Sequence, residues 1–132
     1  MESLLGNSRK PDISFYKDGH IDITARIAKC LSLSEGDIID IVKDGRELLL
    51  YVKLKSEQAI GLHTGRCRST KPQKSYRNFR VNCKRLTDAI FEICNATDVV
   101  QLMAGECQDV PDLGRAIPLI TRINLYKNDK RD

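Results

Sequence analysis

The segment 64–85, TGRCRSTKPQKSYRNFRVNCKR, holds eight basic side chains: Arg66, Arg68, Lys71, Lys74, Arg77, Arg80, Lys84 and Arg85. No Asp or Glu occurs anywhere from Gln58 to Thr87. The other 14 Lys and Arg face all 18 acidic residues, so outside this stretch the chain is net negative although its overall charge is +4. Positive charge gathered in one stretch, rather than spread, is the form that attracts phosphate. Tyr76 and Phe79 lie within it. They can stack on unpaired bases, but the reading preferred here is that they anchor the segment to the core.

Other chemistries are poorly provided for. A cysteine nucleophile needs a base beside it, and the chain has only His20 and His63. Cys30 and Cys94 fall on the apolar faces of helical patterns, as core fillers do. His63 and Cys67 have a ligand-like spacing, with Cys83 further on, but no Cys-x-x-Cys pair completes a zinc set. The carboxylate pairs Glu35/Asp37 and Asp109/Asp112 lie in turns, and no glycine-rich phosphate loop is present. These observations point away from an enzyme, a metal or a cofactor. Five cysteines, an odd number without close pairing, predict free thiols and a cytoplasmic protein. Neither a secretory h-region nor an apolar run of about 18 residues is found, so no membrane partner is expected.

The elements that would position these groups follow from hydrophobic period and turn chemistry. Asp12–Tyr16 reads as a strand, Lys17-Asp18-Gly19-His20 as a turn, and Ile21 and Ile23 as its return. Thr24 is a helix cap, and the following helix ends near Ser32. Ile38–Val42 and Glu47–Lys55 form a hairpin around Lys43-Asp44-Gly45-Arg46, with Leu48, Leu50, Val52 and Leu54 in period 2. Residues 56–78 read as an irregular connector with a short strand near Ile60 and Leu62. Phe79–Val81 is a strand, and Asn82 caps a longer helix whose apolar stripe is Leu86, Ala89, Ile90, Ile93 and Cys94. Asn95 closes that helix, Val99–Met103 is a strand, 104–115 a loop, and Ala116–Leu125 the last strand, with Pro118 implying an edge or bulge.

The order strand, cap, helix, Asp, strand occurs twice. Ile21-Asp22-Ile23-Thr24 aligns with Phe79-Arg80-Val81-Asn82, and Asp37–Ile41 with Asp98–Leu102. The first copy, with ARIAKCLSL followed by Glu35-Gly36-Asp37 and an Asp-Gly hairpin, resembles the AbrB/MazE-like (SpoVT-AbrB) family over residues 13–54. It departs from the family at Ile23-Thr24, where Ile-Pro is usual, and at Ser32, where Gly is usual. The second copy resembles the family only weakly. The resemblance implies a mainly β protein with two short-to-medium helices, in a swapped-hairpin, double-psi-like barrel. A half of about 45 residues buries too little to stand alone. It would therefore pair with a second chain as a homodimer, or with the other half of its own chain as a pseudo-dimer.

The expected organisation is a tail at 1–11, a first half at 12–55, a basic connector at 56–78, a second half at 79–126 and a tail at 127–132. The family's usual work implies double-stranded DNA as partner, in transcription regulation or as an antitoxin. Lys17, His20, Arg26 and Lys29 match the family's basic surface, and Arg80, Lys84 and Arg85 occupy the analogous helix start. With Arg66, Arg68, Lys71, Lys74 and Arg77, the cations among them form the candidate nucleic-acid-binding set. The alternative is an assembly module whose basic segment docks an acidic protein.

Overall fold

In the computed structural model of the chain, residues 10–62, 64–70 and 78–121 are described. They form nine strands and two helices: β1 Ile13–Tyr16, β2 His20–Ile23, α1 Ala25–Leu31, β3 Ile38–Asp44, β4 Glu47–Leu54, β5 Cys67–Ser69, β6 Phe79–Asn82, α2 Lys84–Cys94, β7 Val99–Ala104, β8 Gln108–Val110 and β9 Gly114–Ile120. The protein is mainly β, and its sheet is antiparallel and curled into a half-barrel. Strand order is β3-β4-β9-β7-β1-β2-β6-β5, with β8 beside β9.

The halves share this sheet rather than packing as separate units. The β3–β4 hairpin meets β9 through β4, Leu48 to Tyr51 facing Leu119 to Ala116. β7 adds to β1, Ile13 facing Leu102, and β2 pairs with β6, Ile21 facing Val81. The two ends of the strand order also touch. Ile38 bridges Arg66. Around it the Gly36 N–H donates to the Cys67 carbonyl (2.8 Å), the Cys67 N–H to the Asp37 carbonyl (2.7 Å) and the Ile39 N–H to the Gly65 carbonyl (3.2 Å). Alternation sends Ile13, Phe15, Ile21, Ile23, Phe79 and Val81 inward, all at most 1 % exposed. With Ile27, Leu50, Ile90 and Ile117 they make one aliphatic core.

Both helices end alike. Ser32 (φ 53, ψ 48) and Asn95 (φ 53, ψ 49) are left-handed, and the next residues, Leu33 and Ala96, donate back to Ala28 and Phe91. Ser32 thus does the work of the glycine usual in the family resembled. The helix starts differ from expectation. Thr24 is the N-cap residue of α1, but its hydroxyl makes no cap bond; the Asn78 carboxamide oxygen accepts from the Ala25 N–H instead, at 2.9 Å. The N-cap of α2 is Cys83, one residue later than Asn82. On α2 the buried positions are Thr87, Ile90 and Cys94, so the packed face is rotated from the expected stripe, leaving Leu86 and Ile93 half-covered and Ala89 exposed.

Three further regions are corrected. The described residues of 56–70 hold a 3-10 turn, Ser56–Gln58, and the strand β5, while Ile60 and Leu62 are exposed outside any strand. The expected loop at 104–115 contains β8, hairpinned to β9. Pro118 lies inside β9 in the gap between the β8 pairing, which ends at Ala116, and the β7 pairing, which begins at Leu119, and its carbonyl accepts the Gly105 N–H (2.8 Å). Gly105 is needed there, since a Cβ would fall 2.9 Å from the proline ring.

Cys30 and Cys107 are joined in a disulfide across 77 residues, so these two cysteines are not the free thiols expected. α1 and the β7–β8 loop meet there, a contact that linear spacing does not reveal. This removes one ground for reading a reducing compartment. Among the described residues no helix is long and apolar enough to cross a membrane.

Candidate nucleic-acid interface

The outer face of the β5–β6–β2 ribbon presents the basic residues that strand alternation turns away from the core. Arg68 on β5 stands directly opposite Arg80 on β6, and Arg80 opposite Asp22 on β2. Asp22 holds Arg80 through Nε (2.8 Å) and Nη2 (3.2 Å), a two-point grip that keeps the guanidinium firmly protonated. Arg68 is exposed and has no acidic partner among the described residues. Two residues along, His20 faces Asn82; its ring stacks on Tyr16 with centroids 4.2 Å apart and its Nδ1 meets Asp18. The His20 amide, donating to Asp18, is the main reason that carboxyl titrates below its usual range.

The β1–β2 turn is seated on the start of α2. The Cys83 N–H donates to the Gly19 carbonyl (2.9 Å), and a Cβ on Gly19 (φ 101) would fall 3.1 Å from the Lys84 Cα. Only glycine accepts both that φ and that approach. The contact brings the turn holding Lys17 against the one holding Lys84 and Arg85, far apart in sequence. All three are exposed. Lys84 pairs with Asp88 one turn on, whereas Lys17 and Arg85 are without acidic partners among the described residues. The opposite end of the β2–β6 pair has an equivalent arrangement. Asn78, where the connector returns, caps α1, and its carbonyl accepts both the amide (3.0 Å) and the hydroxyl (3.2 Å) of Thr70. Lys71, Lys74 and Arg77, together with Tyr76 and His63, lie outside the described residues.

Two expected cations have structural occupations. Arg26 reaches the buried Asp12 carboxylate (3.2 Å) and the carbonyls of Ala104 and Gly105 (3.1 Å each). The same Asp12 oxygen accepts the Ala104 amide at 2.7 Å, so the pair ties β1, α1 and the end of β7 together. Arg66 bonds the carbonyls of Gly36, Ala59 and Leu62, shaping the chain between β4 and β5. Lys29 is exposed in the last turn of α1. Sequence reasoning missed Asn78 and Asp22, whose roles depend on cross-strand neighbours.

Comparison with protein-family models, with curated proteins and with solved structures found no match.

The remaining groups have conformational roles. Glu35 accepts the Ser69 amide (2.9 Å). Asp37, fully buried, accepts from the amides of Ser34 (2.8 Å) and Ser56 (2.9 Å) and from Lys55 Nζ (2.8 Å). It therefore closes the turn into β3 and fixes the exit from β4. Phe79 is a core residue, 1 % exposed. Burial, reinforced by Asp37 and Glu35, pushes the Cys67 thiol up to about 12, and burial raises Cys94 too. A thiol held protonated this way is a poor nucleophile. No cluster of three or more metal-ligating side chains occurs among the described residues.

Proposed function

We propose that this protein binds duplex DNA, as a regulator or antitoxin of the AbrB-like kind, in a swapped-hairpin barrel made by the two halves of one chain. The barrel reading is supported by hairpin exchange. β3–β4 of the first half touches β9 of the second and the connector beside β5, and β7 and β9 of the second touch β1 and β4 of the first. A homodimer is then not needed to complete the fold.

The observation that carries the DNA reading is the distribution of cations along the β2–β6 pair. Arg68 and Arg80, opposite one another on one exposed face, lie toward the end where the connector returns, and Lys17, Lys84 and Arg85 lie at the other. The exposed face of this part of the sheet can lie along a duplex backbone, where its cations meet the phosphates. Arg80 reads or positions only if Asp22 releases it, so Lys17, Arg68 and Arg85 are the principal phosphate contacts. Arg26 and Arg66 act by holding the scaffold.

The test is binding of a random-sequence duplex across a salt series. Affinity should fall steeply with salt. Lys17→Glu with Arg68→Glu should reduce both the affinity and the salt slope, by about one unit of slope for each phosphate that is no longer neutralised. Binding that is flat in salt, or unchanged in the double variant, overturns the reading.

A further inference from the structure

The two helices end alike but are not equally covered. α1 packs on β9, and its flank is sealed by Arg26 on the Ala104 and Gly105 carbonyls and by the Cys30–Cys107 disulfide. α2 packs on β7, β1 and β2. Between it and the β3–β4 hairpin a cleft of about 400 Å³ stays open, in the size range of ligand-binding pockets.

The cleft has an apolar floor and a cationic rim. Ile39 (3 % exposed), Leu86 and Ala89 line the floor. Ala89 is an exposed position of the apolar stripe of α2, and Leu86, packed against the edge of the core, stays half-exposed beside it. The rim carries Lys53 and Arg85 against one carboxylate, Asp40, which lies 4.0 Å from Lys53 Nζ. The first turn of α2 has no acidic residue and no side-chain cap. Charge and dipole therefore favour an anionic visitor, while the floor favours aliphatic groups. Phosphate and sugar have little use for such a floor; a peptide with acidic and aliphatic side chains matches both parts.

We propose that the cleft between α2 and the β3–β4 hairpin docks an acidic segment of a partner protein, with an aliphatic anchor on Leu86 and Ala89 and carboxylates toward Lys53 and Arg85. This goes beyond the DNA reading and does not depend on it.

The probe is a fluorescein-labelled Glu-rich peptide with Leu at every third or fourth position, measured by anisotropy and by amide chemical shifts of the full chain. Its Gln-for-Glu counterpart and a short random-sequence duplex are run alongside. The acidic peptide should bind and shift the amides of Ile39, Lys53, Leu86 and Ala89. Ala89→Trp, which fills the cleft from an exposed helix position, should weaken binding at least tenfold, and Lys53→Glu several-fold, with unchanged thermal midpoints confirming that both variants fold. Arg68→Glu should leave peptide binding intact, which separates this outcome from failure of the DNA reading. The proposal is overturned if Ala89→Trp binds normally, if the Gln peptide binds as tightly, or if the shifts fall elsewhere.

Discussion

Ser32 pins the end of α1 in a backbone conformation that suits glycine better. A left-handed non-glycine residue costs about 1–2 kcal/mol, partly offset by the freedom glycine loses on folding. Ser32→Gly should therefore stabilise the protein by roughly 0.5–1 kcal/mol, read as a rise in the thermal midpoint. Cys67 gives a pH prediction whose sign is fixed by its raised thiol. The unfolded chain releases that proton near 9.0, the folded one only near about 12. Between those values the native state holds more protons, so this contribution is fully present below 9.0 and lost as pH rises. Denaturant titrations should show stability falling across that window by at most about 1.4 kcal/mol per pH unit from this group. Cys67→Ala should make the fall shallower, and a thiol reagent at about pH 8, below the ordinary thiol range, should leave native Cys67 unmodified. Burial decides the matter, and burial at a three-residue strand such as β5 is not encoded in any local pattern. The charges of Arg26 and Arg80 are plain in the sequence, but their carboxylates, Asp12 and Asp22, become partners only through chain reversal and strand pairing.

Elements with a strong local code are legible. Asp-Gly turns and the alternation of Leu48 and Leu50 define β3–β4, and αL residues close both helices where the apolar runs stop. What escapes are features made by contacts across the sheet. Thr24 looks sufficient as a cap because Ser and Thr usually bond the first-turn amides, yet Asn78 supplies the bond to the Ala25 amide once β6 pairs with β2. Asn78→Ala should cost about 1 kcal/mol, whereas Thr24→Val should cost much less, measured by urea titration. The α2 stripe is displaced by a fraction of a turn, because Thr87 takes a buried position that periodicity gives to Ala89. The Cys30–Cys107 bridge spans 77 residues between α1 and the β7–β8 loop. Cys107→Ser should lower stability under oxidising conditions by roughly 2–4 kcal/mol and abolish the sensitivity of the thermal midpoint to dithiothreitol.

At the scale of the molecule, the core belongs to neither half. Phe15 and Ile21 come from the first, Phe79, Val81 and Ile90 from the second, and all enter one cluster. Cross-half pairing at β2–β6, β1–β7 and β4–β9 means that a separated half forfeits ladder partners and core neighbours together. A chain ending at residue 55 should show no cooperative unfolding as a monomer. Co-expression with residues 56–132 should restore a complex with the circular dichroism of the intact protein. A half that unfolds cooperatively alone would contradict the shared core.

Thr70 and Asn78 clasp one another, so the points at which the chain leaves and rejoins the sheet lie side by side. Joining two adjacent points asks for no particular length or wording of chain. Substituting a longer or differently charged insert there would change what the molecule presents to its surroundings while leaving the strand pairing beneath it in register. The location is a natural port for exchanging specificity.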